Sequence, residues 1–273
     1  MSTLEKAYLK AMNKNKDENG EPIENTDSYN IETNVPNKKE AHQLVSSRSG
    51  ISRMSEDELY TTDILDAKGL IYANMRDSKL LDKYRNLRTR LLVSSNKDNF
   101  VTLVTSVTSL GDHSLISANI AATFALDEAK TSTLIEANIQ NPSLNQLFDK
   151  VEAKGLIDYL ETESWEGNEV LCKTGIPRLR LVPSGFTREN SAEYFTSDRM
   201  IHFVKELIER YPDRYPIINA PSILDSADAQ ILIDLCDKVI LVAPYGQCTD
   251  EEIMQAAMTI GEEKLAGVLL DNF

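Results

Sequence analysis

The chain has 273 residues, 41% of them hydrophobic, enough for one large domain with extensions, and a formal net charge of −14. So acidic a chain is repelled by phosphate backbones and anionic lipid, which excludes nonspecific binding to nucleic acid or to a membrane surface. Cys172, Cys236 and Cys248 are widely spaced and form no C-x-x-C pair, so neither a disulfide framework nor a zinc site is indicated and a reducing, cytoplasmic compartment is expected.

The first residues lack the apolar core of a signal peptide, and no run approaches the ~18 apolar residues of a membrane helix, so no direct membrane insertion is expected. Residues 2–14 can form a short amphipathic helix: Ser2 and Glu5 fit a capping box, and Leu4, Tyr8, Leu9 and Met12 share a face. From Lys14 to about Ser52 the chain is too polar to offset the entropy of ordering and reads as a disordered linker. Ser55 and Glu58 stand in capping-box spacing for a second short helix over Ser55–Leu65. The expected organisation is a mostly disordered arm with short helices over 1–76 and a folded domain over 77–273.

From Asp77, Leu80, Leu81, Tyr84, Leu87, Leu91 and Leu92 recur at helical spacing. Asp82, Arg85 and Arg88 share another face, read either as a solvated face with a local Asp82–Arg85 pair or as a subunit contact. Phe100–Val104 then reads as a buried strand, Thr105 onward as a small-residue loop, and Ile116, Ala118, Ile120, Ala121 and Phe124 as a helix. Further strands are expected at Thr131–Ile135, Leu179–Pro183, Tyr215–Ile218, Val239–Ala243 and Ala266–Leu270. Helices are expected at Pro142–Phe148, Gly155–Leu160, Ser197–Arg210, Ser226–Leu235 and Asp250–Gly261. This alternation predicts an α/β fold with a doubly wound, mostly parallel sheet flanked by helices. Its ligand site should lie where the strands ending at Val104, Ile135 and Ile218 release their loops.

The strand, loop and helix around Thr105–Ala122 have the frame of a P-loop, which cradles phosphates on glycine amides and a lysine. Several segments, in order, carry a wider likeness: Asp82-Lys83-Tyr84-Arg85-Asn86-Leu87-Arg88, Ser117-Ala118-Asn119-Ile120-Ala121, Pro142-Ser143-Leu144 with Leu147-Phe148, Gly175-Ile176-Pro177 through Leu181-Val182-Pro183-Ser184-Gly185, Asn190-Ser191-Ala192-Glu193 and Asp198-Arg199-Met200. From about Leu80 to Leu270 the chain resembles the cytoplasmic domain of bacterial tyrosine kinases (BY-kinases), of the same P-loop class as the MinD and ParA ATPases. The resemblance implies a site for ATP and magnesium, a membrane partner that sets polysaccharide chain length, and a self-association helix of pattern E-x-x-R-x-x-R. Here that helix has Asp82, Arg85 and Arg88.

The residues that would hold nucleotide depart from the family pattern. Leu110 and Asp112 stand at glycine positions, His113 at the lysine, and only Ser114 keeps the hydroxyl. Sliding the register to use Gly111 puts Asp112 at the lysine. Glu136 and Asn138 take the aspartate pair after the second strand, and Asn219 takes the magnesium-ordering aspartate. Losing a cation and gaining a carboxylate beside phosphate changes two charge contacts of about 1–4 kcal/mol each. A micromolar site is worth only about 8 kcal/mol. His113 either touches a phosphate as imidazolium or fills the space of an unused site. Glu136 is either a residual base or a satisfied polar residue.

The sequence therefore predicts a degenerate BY-kinase-like protein with a vestigial nucleotide site and no cofactor, acting as a pseudokinase or adaptor in exopolysaccharide or capsule synthesis and export. Its expected partners are an intact BY-kinase, a membrane chain-length regulator at the inner face of the cell membrane, or further copies of itself. The alternative is an ATP-dependent tyrosine autokinase of the same pathway that binds ATP and magnesium weakly through unusual residues.

Overall fold

The computed structural model describes residues 51–272, apart from 52, 53, 55, 57, 96–98, 152 and 187–190. The helix expected over residues 2–14 and, apart from Ile51, the linker expected after it lie outside the described residues. In chain order the elements are α1 (Thr62–Ala67), α2 (Ser78–Val93), β1 (Thr102–Ser106), α3 (Ser114–Ala125), β2 (Thr131–Glu136), α4 (Ser143–Leu147) and α5 (Leu156–Glu161). There follow β3 (Cys172–Lys173), β4 (Leu179–Val182), α6 (Ser191–Phe195), α7 (Asp198–Glu209), β5 (Arg214–Asn219), α8 (Ala227–Asp234), β6 (Lys238–Pro244), α9 (Asp250–Ile260) and β7 (Leu265–Asp271).

The strands make one sheet in the order β3-β4-β2-β5-β1-β6-β7, parallel throughout except for the β3–β4 pair. Parallel strands need both faces covered, and alternate residues serve opposite cores. Leu103, Ile135, Ile218 and Leu241 meet Met200, Phe203 and Leu207 of α7 and Leu232 of α8 on one face. Val104, Leu134, Ile217 and Ile240 meet Leu81 and Leu91 of α2 and Ile120 and Phe124 of α3 on the other. This is the doubly wound architecture that the alternation of elements predicts. No helix among the described residues is long and apolar enough to cross a membrane.

β1 runs two residues beyond the expected end at Val104. Thr105 and Ser106 pair with Leu241 and Val242 of β6. Their hydroxyls are satisfied, Thr105 on Pro221 O past β5 at 2.6 Å and Ser106 on Thr108 O at 2.8 Å, so polar residues can close a buried strand.

The segment before Asp77 also differs from expectation. The chain is not helical at 58–61, and α1 begins at Thr62, capped by Thr61. Glu56 instead accepts the Gly175 amide and pairs with Arg180, while the Tyr60 amide bonds Gly175 O at 2.9 Å. These bonds draw the chain across β4 before any helix can start. Leu65, Leu70 and Ile71 enter the core, and Asn119 of α3 clasps their turn by accepting from Ile71 N and donating to Gly69 O. The expected start of the ordered body near Asp77 therefore falls inside a packed segment, although Asp77 does cap α2 by accepting from Leu80 N at 3.0 Å.

Candidate nucleotide site

The carboxyl ends of β1, β2 and β5 come together through register: Val104 lies beside Asn219, and Asn219 beside Glu136. The loop from Val107 to His113 crosses above them into α3. A Cβ on Gly111 would sit 3.1 Å from Pro244 Cβ, so this loop is pressed onto the end of β6. Leu110 projects away from it, 69% exposed.

The first amide of α3 is covered by a carboxylate. Asp112 Oδ1 accepts from Ser114 N at 2.9 Å. An anion is favoured there by the unpaired amides and the helix dipole. Burial works to raise the Asp112 carboxyl, but the Ser114 hydroxyl and amide, the Ser143 hydroxyl and His113 outweigh it and hold it below the usual carboxylate range. Asp112 is thus an anion at neutral pH, seated where a P-loop receives phosphate.

His113 is buried, with Nε2 2.8 Å from Ala220 O, just past β5. A carbonyl only accepts, so Nε2 carries the hydrogen. Burial holds the imidazole below its ordinary pKa, against the pull of the Ala220 carbonyl and Asp112, so the ring is neutral. Its Nδ1 has no hydrogen-bond partner among the described residues.

Asn219 organises the remaining polar groups. Its amide nitrogen donates to Glu136 Oε1 at 2.9 Å and Ser114 Oγ at 3.1 Å, and its oxygen accepts from Ser117 Oγ at 2.7 Å. Glu136 also accepts from Asn138 N at 3.0 Å and Leu144 N at 2.9 Å. Burial pushes Glu136 up to about 8, although these three N–H donors pull the other way. Asn138 sits in the loop after β2, where its side chain accepts from Asn141 N at 3.3 Å rather than joining the network. The structure thus brings Asp112, His113, Ser114, Glu136 and Asn219 together, leaves Leu110 in solvent, and puts Asn138 on the wall of the adjoining cleft with Asp112 and His113.

Ser117 belongs to the network and is not singled out by its sequence context, although it lies three residues after Ser114 on one helix face. Asp225 is a further addition. It accepts from Ser109 N at 2.7 Å and Ser222 Oγ at 3.1 Å, and the Ser109 amide is the main cause holding its carboxyl below the usual range. With Asp112 and Asp228 it lines a cleft of about 280 Å3 under the loop, whose lining contains no lysine or arginine.

On α2, Asp82 and Arg85 form the local pair, at 3.7 Å and largely exposed. Arg88 turns inward, and its Nη1 donates to Thr123 O in the last turn of α3 at 2.8 Å. A guanidinium there complements the carboxyl end of the helix.

No protein-family model matches the chain. Tyrosine-protein kinase CpsD of Streptococcus pneumoniae serotype 4 is 30% identical over 197 residues, covering 71% of this chain and 85% of CpsD. CpsD of Streptococcus agalactiae serotype III is 28% identical over 209 residues, covering 74% of this chain and 87% of CpsD. The succinoglycan biosynthesis transport protein ExoP of Rhizobium meliloti is 23% identical over 245 residues, covering 86% of this chain but 30% of ExoP. Among solved structures, the chimerical protein CapA2B2 has the same fold, with a TM-score of 0.68 at 20% identity, covering 84% of this chain and 99% of that one.

Proposed function

The chain belongs to the bacterial tyrosine kinase (BY-kinase) family, and on that premise we propose that it is a pseudokinase or regulatory adaptor of exopolysaccharide or capsule synthesis and export. The pathway follows from relatives such as CpsD and ExoP, the latter named for succinoglycan biosynthesis and transport. The observation that carries the adaptor reading is the Asp112 carboxylate on the Ser114 amide. A triphosphate entering this loop must displace a fixed anion of its own sign and meets further carboxylates of Asp225 and Asp228 in the cleft.

The groups left at the magnesium positions do not fit that ion either. Asn219 spends both its amide nitrogen and its oxygen on Glu136, Ser114 and Ser117. Ser114, the surviving hydroxyl, is bonded to the same amide. A preorganised site would present these groups to a metal and its phosphates; here they are bonded to one another. The protein therefore acts by binding. Its partners are an intact BY-kinase, the cytoplasmic end of a membrane chain-length regulator, or a second copy through the Asp82–Arg85 face.

The test is binding of a fluorescent ATP analogue to the purified full chain, with and without magnesium. No saturation up to millimolar analogue is expected. Magnesium-dependent binding in the low micromolar range, or phosphotyrosine formed on the protein with ATP alone, would establish the autokinase instead.

A further inference from the structure

Three arginines meet at the opposite end of the sheet, where β2 and β5 begin. Arg180 of β4, Arg210 just past α7 and Arg214 at the start of β5 line one cleft of about 480 Å3, whose wall also includes Ile51, Met54, Thr131, Leu171 and Tyr211 and one carboxylate, Asp213. Arg180 has Glu56 as its carboxylate partner, and Arg210 has Glu206 at 2.7 Å. Arg214 makes no ion pair among the described residues. Its guanidinium stands 3.8 Å from the centre of the Tyr211 ring, and the residue is 8% exposed. Burial lowers its pKa, while Tyr211 and the adjacent Asp213 oppose the shift, and an arginine so placed keeps its charge.

Arg214 is held by the Tyr211 ring and side-chain hydrogen bond, with the Asp213 charge acting on it but no ion pair formed among the described residues, and a desolvated cation so placed gains from an anionic ligand. The guanidinium fork matches phosphate oxygens two at a time. Leu171 and Tyr211 offer an apolar wall beside it, and the volume suits a small molecule rather than a bare ion. The net charge of −14 repels anions from the protein as a whole, and with Arg180 and Arg210 already paired and Asp213 in the lining, Arg214 is the cation of this cleft without an ion pair among the described residues.

We propose that this cleft binds a phosphate-bearing small molecule, with Arg214 and Arg210 as the anion-binding residues and Tyr211 as the stacking wall. The site is independent of the P-loop cleft and stands whether or not that cleft accepts nucleotide.

The test is titration of the 15N-labelled full chain with pyrophosphate, and separately with sodium chloride at matched ionic strength. Pyrophosphate should give saturable shifts of the amides of Arg210, Tyr211, Arg214 and Thr131. Affinity should fall at least tenfold in Arg214→Met and several-fold in Arg210→Ala. If Arg214→Met does not fold, Arg210→Ala decides, because that side chain is half-exposed and its removal spares the core. Shifts confined to Ser109 through Ser114, equal shifts with chloride, or wild-type affinity in Arg210→Ala would each overturn the proposal.

Discussion

Glu136 and Asn219 sit side by side at the carboxyl ends of β2 and β5, joined by a hydrogen bond of 2.9 Å from the amide nitrogen to the Glu136 carboxyl group, and wholly buried. The pair works because asparagine donates. An aspartate at 219, the residue of the family pattern, would remove the donor to Glu136 and set two carboxyl groups in contact away from water. Asn219→Asp is therefore expected to destabilise the fold by about 3–5 kcal/mol, the cost of an uncompensated buried charge. The loss should be partly recovered by adding Glu136→Gln. A double-mutant cycle by urea unfolding checks this; additive losses would show that the two side chains are not coupled.

The same carboxyl predicts a pH dependence. Glu136 titrates near 8 in the folded chain and near its ordinary 4.5 when unfolded. Between those values the folded state binds more protons, so stability falls as pH rises. His113 acts oppositely: its lowered folded pKa costs stability as pH falls below 6.5. Only Glu136 of the two acts between pH 6.5 and 8. Over that window the wild type should lose up to about 2 kcal/mol relative to Glu136→Gln. Parallel stability profiles for the two proteins would contradict it.

Glu56 ties the segment before α1 to the body. Its side chain is 2% exposed, and its partner Arg180 is 11% exposed. Glu56→Ala removes the buried carboxylate that holds both the Arg180 guanidinium and the Gly175 amide, so it should cost about 1.5–3 kcal/mol. It should also speed proteolytic cleavage between residues 56 and 76, seen by mass spectrometry of limited digests. An unchanged cleavage rate would mean that Leu65, Leu70 and Ile71 hold the segment without the ion pair.

The architecture was legible because parallel strands buried on both faces are apolar runs, and because Met200, Phe203, Val204 and Leu207 keep strict helical spacing on α7. What escaped was set by long-range partners. Glu56 looks like part of a polar, helix-capping stretch until Arg180 and the Gly175 amide, more than a hundred residues away, are placed beside it. β3 has two residues, too few for any periodicity. At the candidate site, the identities of Asp112, His113, Glu136 and Asn219 were readable, but not that Asp112 covers the Ser114 amide while His113 turns under the loop. Those orientations depend on Ser114 N and Ala220 O, backbone groups whose positions no residue type reveals.

Arg85 and Arg88 should separate assembly from folding. Arg88 makes a part-buried, charge-assisted bond to Thr123 O, so Arg88→Ala should cost about 1.5–3 kcal/mol. The exposed Asp82–Arg85 pair contributes little, and Arg85→Ala should change stability by under about 0.5 kcal/mol. If the Asp82–Arg85 face joins subunits, Arg85→Ala should nevertheless reduce self-association in sedimentation velocity. Wild-type assembly in Arg85→Ala would remove that face from consideration.

The P-loop itself allows a gain-of-function experiment. Asp112→Gly with His113→Lys turns residues 111–114 into Gly-Gly-Lys-Ser. The first change frees the Ser114 amide by removing its carboxylate cap; the second supplies the missing cation. Removing a negative charge and adding a positive one changes two charge contacts, each worth about 1–4 kcal/mol. Nucleotide affinity should then improve at least tenfold, measured with the fluorescent ATP analogue. Two costs oppose the gain. The Ser114 amide at the start of α3 loses its hydrogen bond to Asp112, at about 1 kcal/mol. A lysine following the buried path of His113 would have to redirect its ammonium from Ala220 O toward the cleft. Tyrosine phosphorylation should still not appear, because Asn138 and Asn219 remain uncharged. A variant that folds yet binds no better than wild type would mean that Asp225 and Asp228, not Asp112, exclude nucleotide. Asp225→Asn in the same background would then raise affinity, at the expense of its bond to Ser109 N.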